Sequence, residues 1–256
     1  MTTLLQVDSV AKRFGGVQAL TDVSFRVERG RIKGLIGPNG AGKTTLFNCI
    51  CGVMRADGGH VRYAGRDLHG TSPHRRARMG IARTFQTLEL FRELTVLENL
   101  MVPVDAQAPR GLISDALRLP SARHEERRAE ERARALLHFL HISDVAGVAG
   151  GELPIGIQRR VELGRALALR PTLLLLDEPA AGLDSRETAE LAGVLTRIRE
   201  RFGTAMLLVD HDMSLVMRVC DDIAVLDFGR LIAEGPPERI REDPAVVRAY
   251  LGESAA

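Results

Sequence analysis

Apolar and polar positions alternate from Leu4 to Val27, as at Val23, Phe25 and Val27. A period of two residues is typical of strands that bury one face. The pattern predicts an antiparallel β layer at the start of the chain. The run RIKGLIG then predicts a strand that enters a glycine turn, and KTTLFNCICGV predicts a helix that leaves the turn and ends at Gly52.

The chain changes character between Val102 and Gly151. A loop rich in Pro and Gly, residues 103–122, precedes a helix pattern in which Glu130 and Arg134 lie one turn apart and can pair. The apolar positions of this helix share one face. They are Ala129, Ala133, Leu136, Leu137 and Leu140. We therefore expect one domain, residues 1–256, with an inserted helical lobe at approximately residues 87–165.

After Gly151 the chain alternates between helix and strand patterns. The apolar runs TLLLLD and AMLLVD stand between helix patterns, which indicates a parallel sheet covered on both faces. Residues IAVLDFGRLIAEG predict a hairpin that turns at Phe228 and Gly229.

One helix of this part begins at Asp184. Asp184 and Glu187 have the spacing of a capping box. The predicted buried stripe of the helix consists of Leu191, Val194, Leu195, Ile198 and Phe202.

The segment GPNGAGKT, from Gly37 to Thr44, fits the phosphate-loop pattern G-x-x-x-x-G-K-[ST] and lies between a predicted strand and a predicted helix. Such a loop turns backbone N–H groups toward phosphate oxygens at the positive end of a helix. Lys43 can then reach the outer phosphates, and Thr44 can hold Mg²⁺. The predicted nucleotide-binding residues of the loop are Gly37, Pro38, Asn39, Gly40, Ala41, Gly42, Lys43, Thr44 and Thr45.

Asp177 and Glu178 follow four leucines, so both emerge at the carboxyl end of a buried strand. Open α/β sheets bind their ligands at this edge. Asp177 is placed to support Mg²⁺, and Glu178 is placed to polarise an attacking water. Two acids at a strand end are commonly a solvated turn or a helix cap, but the phosphate loop favours the catalytic interpretation.

Three further residues are weaker candidates when taken alone. His211 ends another buried strand, from which it could reach a terminal phosphate, although a structural histidine is more common there. Gln86 is a lone amide, typical of a protein surface. Phe14 could stack on a base, and its alternative role is a core aromatic.

Composition narrows the function classes. Lys and Arg total 35 against 33 Asp and Glu, a formal charge of +2, so no strongly basic surface indicates nucleic-acid binding. Three cysteines without paired metal-ligand spacing predict buried thiols in a reducing compartment. No charged leader and no apolar run of about 20 residues is present, so we expect a soluble, cytosolic chain.

The order of an early aromatic, GPNGAGKTT, TFQ, LPIGIQRRVELGRAL, LLLLDEPAAGLD and LLVDHD resembles the nucleotide-binding subunits of ABC transporters over nearly the whole chain. The resemblance implies an α/β P-loop NTPase core with a parallel sheet, an antiparallel β layer and an inserted helical lobe. It implies that Phe14 stacks on adenine and that Gln86 senses Mg²⁺ and the membrane partner. It also implies that Glu178 is the general base, that His211 contacts the γ-phosphate, and that residues 181–184 cross to a second subunit.

In this family the signature segment of one chain closes over phosphates held by another, so two ATPase subunits form one working site. Here the signature reads LPIGI instead of L-S-G-G-Q, so the serine hydroxyl and one glycine are missing. Pro154 also lacks an N–H donor. Gly156 remains as the binding residue of this segment, and a helix start can accept proline and still point its dipole at phosphate.

The segments GGVQALTDVSF, ARTFQTLELFRELTVLENL, RRVELGRALALRP and REDPAVVRAYLGE look like those of branched-chain amino acid importer ATPases. Importers of urea, amides or aromatic acids share these features, and the lipopolysaccharide-export ATPase shares them without so long a helical insertion after Val102. The insertion therefore favours amino acids as the solute. The implied partners are ATP, a second ATPase subunit, integral membrane permeases on whose inner face the chain sits, and, indirectly, a periplasmic solute-binding protein. One alternative function is a soluble ABC ATPase that acts on nucleic acid or ribosomes, but such proteins generally have tandem domains or coiled-coil arms. A second alternative is a small-molecule kinase, for which the sequence contains no motif for an acceptor pocket.

Overall fold

The computed structural model describes residues 2–84, 89–105 and 120–253. The chain forms two compact units, the first from Met1–Arg83 with Thr172–Ala256 and the second from Thr84–Pro171. The strands, in chain order, are β1 Thr3–Phe14, β2 Val17–Glu28, β3 Ile32–Ile36, β4 Gly58–Tyr63, β5 Arg66–Asp67, β6 Ile81–Arg83, β7 Leu173–Asp177, β8 Ala205–Val209, β9 Asp222–Asp227 and β10 Arg230–Gly235. The helices are α1 Lys43–Cys51, α2 Pro73–Arg78, α3 Val96–Asp105, α4 Pro120–Phe139, α5 Ile155–Ala168, α6 Ser185–Phe202, α7 Met213–Val219, α8 Pro237–Glu242 and α9 Pro244–Glu253.

The first strands form the predicted antiparallel layer, with the order β2-β1-β4-β5. In the pairing of β1 with β2, Val7 lies opposite Phe25 and Val10 lies opposite Val23. These four side chains are buried. The alternation in the sequence therefore reports the buried face of this layer, and the prediction is confirmed.

The second sheet has the order β10-β9-β3-β8-β7-β6, in which β9, β3, β8, β7 and β6 are parallel. All residues of β7 and β8 are buried, as expected for parallel strands covered on both faces. The predicted hairpin is also confirmed: β9 and β10 are antiparallel, and Phe228 and Gly229 turn between them with φ angles of 42° and 74°. Positive φ at both turn positions is the requirement of a tight two-residue hairpin.

One hydrophobic cluster joins both sheets of the first unit to α1. Leu46, Phe47 and Ile50 of α1 belong to it and are fully buried. α1 ends, as predicted, at Gly52, whose φ of 79° is the left-handed conformation common after a helix. Core packing therefore fixes the helix that follows the phosphate loop.

The second unit contains α3, α4 and α5. Val104, Ala129 and Ala168 form its small buried cluster, one residue from each helix. The predicted ion pair is present, with Arg134 Nη2 2.8 Å from Glu130 Oε1. Of the five predicted apolar positions, Ala129, Ala133 and Leu137 on α4 are buried and Leu136 is half-buried, and Leu140, which follows the helix, is also buried.

The loop prediction for residues 103–122 is wrong at both of its ends. α3 continues through Pro103 to Asp105, and α4 begins at Pro120. Proline fits both places, because Pro103 lies near the end of α3, where it removes one hydrogen bond, and Pro120 is the first residue of α4, where the N–H has no helical partner. Residues 106–119 lie outside the described residues.

The start of α6 agrees with the sequence pattern, and its end does not. Asp184 Oδ1 accepts from the Glu187 N–H at 2.8 Å, and Glu187 Oε2 accepts from the Asp184 N–H at 3.1 Å, which completes the capping box. The predicted stripe is buried except at Phe202, which is 48% exposed. The prediction for Phe202 is wrong because α6 ends at this residue and the chain turns at Gly203, so no further helical turn covers the ring.

Candidate active site

The phosphate loop connects β3 to α1, and two of its glycines have no possible replacement. Gly37 and Gly42 have φ angles of 150° and 99°. A Cβ on Gly37 would lie 2.1 Å from Leu226 O, and one on Gly42 would lie 2.6 Å from Ala19 O. These distances are too short for any side chain, so glycine is required where the loop runs against the backbone of β9 and β2.

Lys43 lies on the inner side of the loop. Its side chain is buried, and Nζ donates to Gly37 O at 2.6 Å and to Pro38 O at 2.9 Å. The N-cap of α1 is Gly42, which has no side-chain oxygen to offer the first N–H groups of the helix. A phosphate can therefore take this position, at the positive end of the helix dipole and beside an ammonium group.

The other predicted loop residues differ in exposure. Asn39, Gly40 and Thr44 are exposed, Thr45 is half-buried, and Ala41 is buried. Ala41 O accepts from the Gly229 N–H at 3.1 Å, so the loop is also tied to the β9–β10 turn.

Asp177 is the last residue of β7 and is only 3% exposed. Its Oδ2 accepts a hydrogen bond from Arg83 Nη2 at 2.7 Å. Glu178 follows with a φ of 49°, uncommon for a residue with a side chain, and its N–H donates to Val209 O at 2.7 Å. The strained backbone of Glu178 is thus held by the neighbouring strand β8.

His211 follows β8, and its side chain meets that of Glu178. Nε2 of His211 lies 3.1 Å from Glu178 Oε1. This hydrogen bond requires the proton on Nε2, since the carboxylate can only accept. The structure thus brings together the two residues that the sequence suggests for catalysis, with Glu178 half-buried and His211 exposed.

Asp210 is a residue that the sequence reasoning missed. It is buried, and its carboxylate accepts from the N–H groups of Ala180 and Asp212, each at 2.9 Å. Burial raises the pKa of Asp210, and the backbone N–H groups oppose that shift. The carboxylate joins the segment after Glu178 to the segment that carries His211. One signal could have found it: Asp210 ends the apolar run of β8 as Asp177 ends that of β7.

Comparison with known proteins now identifies the family. A profile described as ABC transporter matches residues 20–181, and one described as branched-chain amino acid ATP-binding cassette transporter matches residues 230–256. This chain belongs to the ABC transporter family. It is an ATP-binding subunit that hydrolyses ATP to power a transporter, and the expected P-loop α/β fold is confirmed.

Several curated relatives match along almost their full length. BraF of Pseudomonas aeruginosa, a high-affinity branched-chain amino acid transport ATP-binding protein, is 41% identical over 251 residues, which cover 98% of both chains. LivG of Escherichia coli, of the same description, is 43% identical with the same coverage. The lipopolysaccharide export system ATP-binding protein LptB of Haemophilus influenzae is 36% identical, again over 98% of both chains.

Solved structures agree with this assignment. The ADP conformation of an ATP-binding cassette of an ABC transporter has a TM-score of 0.85 and 31% identity, over 98% of this chain and 100% of that chain. A nucleotide-free cassette has a TM-score of 0.84 and 32% identity, over 97% of this chain and 99% of that chain.

Phe14 of this ABC subunit is not a core residue. Of the two roles considered for it from the sequence, base stacking and a core aromatic, the second is therefore wrong. Its side chain is 45% exposed at the end of β1, and Lys12 Nζ lies 5.5 Å from the ring centre. Gln86 lies outside the described residues. No helix within residues 2–84, 89–105 and 120–253 combines the length and apolarity that a bilayer crossing requires.

The ABC signature segment lies in the second unit, at the start of α5. Pro154 is the N-cap, and Gly156 is the second helical residue and half-buried. Pro154 O accepts from the N–H groups of Ile157 and Gln158, both at 3.0 Å. Proline at this cap removes an N–H that no helical hydrogen bond uses, so the helix starts normally despite the altered signature.

Proposed function

We propose that this chain is the ATPase subunit of a branched-chain amino acid importer. Two observations support this solute class: the identity of 41% and 43% to BraF and LivG over 98% of each chain, and the match of residues 230–256 to the branched-chain amino acid cassette profile. The identity to LptB, 36%, is lower. The solute itself binds elsewhere in such a transporter, so the assignment rests on relatedness and not on a pocket of this chain.

The proposed assembly contains two ATPase subunits, either two copies of this chain or this chain with a related one. They would sit on the cytoplasmic face of a pair of integral membrane permeases, which receive solute from a periplasmic binding protein. Gln86 and the helical lobe at about residues 87–165 would face the permeases. Gly156 would face the second ATPase subunit, and so would residues 181–184, which lie between β7 and α6.

The residues around the phosphate loop fit an ATP·Mg²⁺ complex. Among the described residues, no group of three or more His, Cys, Asp or Glu could hold a metal ion by itself. Magnesium in nucleotide sites commonly has one or two carboxylates, with phosphate and water oxygens completing its six ligands. Asp177 and the exposed hydroxyl of Thr44 are suitable oxygen donors, with Gln86 as a third candidate. The cation would neutralise phosphate charge as the terminal phosphoryl group is transferred.

The observation that carries the proposed catalytic mechanism is the hydrogen bond between Glu178 and His211. Strands β3, β8 and β7 are parallel neighbours, so their carboxyl ends share one edge of the sheet. The phosphate loop, His211 and Glu178 follow these three strands. Phosphate held by Lys43 therefore lies on the same edge as the carboxylate that would accept a proton from water.

In the proposed cycle, Phe14 stacks on adenine and the loop, including Thr45, holds the phosphates. The Nε2–H group of His211 forms a hydrogen bond with Glu178, as in this structure, or with the γ-phosphate. The hydrogen bond with Glu178 orients the carboxylate. Glu178 accepts a proton from the attacking water, whose oxygen bonds to the γ-phosphorus. The bond from that phosphorus to the bridging oxygen of the β-phosphate breaks, which releases ADP and inorganic phosphate. Binding closes two ATPase subunits and hydrolysis reopens them, and the permeases follow this motion.

The substitution Glu178→Gln tests the general base. It keeps the shape and removes the basic oxygen, so ATP binding should persist while steady-state hydrolysis falls by about 10²- to 10⁴-fold. Size-exclusion chromatography with ATP should then show a trapped dimer. Glu200→Gln, at an exposed position on α6, is the matched control and should keep the wild-type rate. Normal turnover by the Glu178 variant would remove that residue from the mechanism.

The solute is tested in proteoliposomes that contain the permeases encoded beside this chain. ATP-dependent uptake of leucine, isoleucine or valine supports the proposal. The proposed solute class is wrong if the proteoliposomes take up urea, an amide or an aromatic acid instead, or if they extract lipopolysaccharide. The ATPase assignment is unaffected by that result. Purification with ribosomes or DNA, without an integral membrane protein, contradicts the transporter assembly.

A further inference from the structure

Arg83 touches two parts of the candidate active site at once. It is the last residue of β6, and its side chain is 13% exposed. Nη2 donates to Asp177 Oδ2 at 2.7 Å, and Nη1 donates to Asn48 Oδ1 at 2.7 Å. Asp177 ends β7, and Asn48 lies on α1, the helix of the phosphate loop. One guanidinium therefore connects the ends of β6 and β7 to α1, the helix that follows the phosphate loop.

The local structure explains how Arg83 is held. β6 and β7 pair in parallel with Arg83 opposite Leu175, two residues before Asp177. The guanidinium carbon lies 5.8 Å from the ring centre of Phe47, which is fully buried on α1. Strand pairing and ring contact leave the planar head few orientations.

The chemistry requires arginine in particular. Two separate nitrogens of a rigid plane bind two different acceptors, the Asp177 carboxylate and the Asn48 amide oxygen. The ammonium of lysine is a point charge on a flexible chain, so it could neutralise Asp177 and still fail to hold it at a fixed angle. Asp177 is almost fully buried, and a buried carboxylate needs a partner of opposite charge.

We propose that Arg83 is a positioning residue that orients the Asp177 carboxylate for the Mg²⁺ of bound ATP. The inference rests on the proposed role of Asp177. With Oδ2 bound to Arg83, rotation of the carboxylate is restricted before any nucleotide arrives. Partners that orient a metal ligand in this way typically change metal affinity by 10- to 100-fold when they are removed. In this role Arg83 acts through Asp177 and Asn48.

The experiment measures ATP affinity by calorimetry across a magnesium series and in EDTA, together with Mn²⁺ binding by electron paramagnetic resonance. For Arg83→Met, the Mg²⁺ concentration that gives half of the maximal gain in ATP affinity should rise by about tenfold. ATP affinity in EDTA should stay within about twofold of wild type, because the phosphate loop is unchanged. Arg83→Lys should show a shift in the same direction, since it restores the charge and not the two-point geometry.

Two further variants separate charge from position. Asn48→Ala removes the second anchor and keeps both charges, so it should raise the Mg²⁺ requirement less than Arg83→Met. Arg199→Met is the matched control: Arg199 Nη1 lies 3.2 Å from Asp221 Oδ1, and Asp221 Oδ2 accepts from the Ile32 N–H at the amino end of β3, the edge away from the phosphate loop. The Arg199 variant should keep the wild-type Mg²⁺ requirement.

The outcomes distinguish the inference from the proposed function. Asp177→Asn must raise the Mg²⁺ requirement; if it does not, the proposed role of Asp177 fails and the inference fails with it. If Asp177→Asn raises it and Arg83→Met does not, only the inference is overturned. If Arg83→Met loses the same ATP affinity with and without Mg²⁺, Arg83 supports only the phosphate loop and does not orient Asp177. That result also overturns the inference. If Arg83→Met does not fold, the Lys and Asn48→Ala variants decide by the same criterion.

Discussion

The side chain of Arg76 offers the sharpest test of how the phosphate-loop helix is stabilised. Arg76 lies on α2 and is only 7% exposed. Its Nη1 donates to Cys49 O at 2.8 Å and to Ile50 O at 2.7 Å. Its Nη2 donates to Leu68 O at 2.8 Å, and its Nε donates to Thr71 O at 2.9 Å. In all four of these hydrogen bonds the acceptor of the guanidinium is a backbone carbonyl.

Two of those carbonyls belong to the last turn of α1, where helical carbonyls lack i+4 partners. Cys49 O also accepts from the N–H of Gly52 at 3.2 Å. A positive charge there is also favourable for the helix dipole. Methionine at position 76 would fill much of the same space and supply no donor. At about 1 kcal/mol net for each hydrogen bond, we expect Arg76→Met to lower the free energy of unfolding by about 4 kcal/mol. For a chain of this length the melting temperature should fall by roughly 8–16 °C.

The assay is urea unfolding followed by far-UV circular dichroism, with the slope against urea compared between variants. Arg75→Met is the matched control, because Arg75 is the exposed neighbour on the same short helix and should change stability by less than about 0.5 kcal/mol. A difference between the two variants below about 1 kcal/mol would refute the reasoning. It would show that water replaces the guanidinium at these carbonyls without a penalty.

Two further predictions follow from burial. Ile198→Ala should lower the free energy of unfolding by about 2–5 kcal/mol and Phe202→Ala by less than about 1 kcal/mol in the same urea assay; equal losses would contradict the exposure of Phe202. Burial raises the pKa of Cys49 to about 11 and also raises the pKa values of Cys51 and Cys220, so a disulfide reagent at about pH 8 should label all three thiols slowly in the native protein and rapidly in urea. At pH values between 9.0, the ordinary pKa of a thiol, and about 11, Cys49 keeps its proton in the folded state and loses it in the unfolded state. The free energy of unfolding should therefore fall as the pH rises through this range. Rapid labelling of the three thiols by the disulfide reagent in the native protein would contradict their burial.

Much of the fold follows from patterns within short segments. The alternation in β1 and β2, the apolar runs of β7 and β8, and the capping box at Asp184 each depend on neighbours within a few residues. The end of α1 at Gly52 follows from the same kind of local chemistry. Such features are predictable because backbone geometry fixes which nearby positions share a face or a hydrogen bond.

The same logic fails where an element ends or where two elements meet. Phe202 has the right period for a buried stripe, but period alone does not say where the covering elements stop. Pro103 suggests a loop, and the structure continues α3 through it. Both errors lie at element ends, where local preference is weakest and packing decides.

The sequence by itself determined the ligand and the family, because the phosphate loop, Asp177 and Glu178 each belong to a short motif. The strand or helix pattern beside each motif is enough to recognise it. Tertiary structure alone decided which side chains support them. The contacts of Arg83 with Asp177, of Arg76 with Cys49 and of Asp210 with Ala180 span 94, 27 and 30 positions. No periodicity or spacing rule reaches across such separations, since only the order of strands in the sheet and the packing of helices on it bring these residues within hydrogen-bond distance.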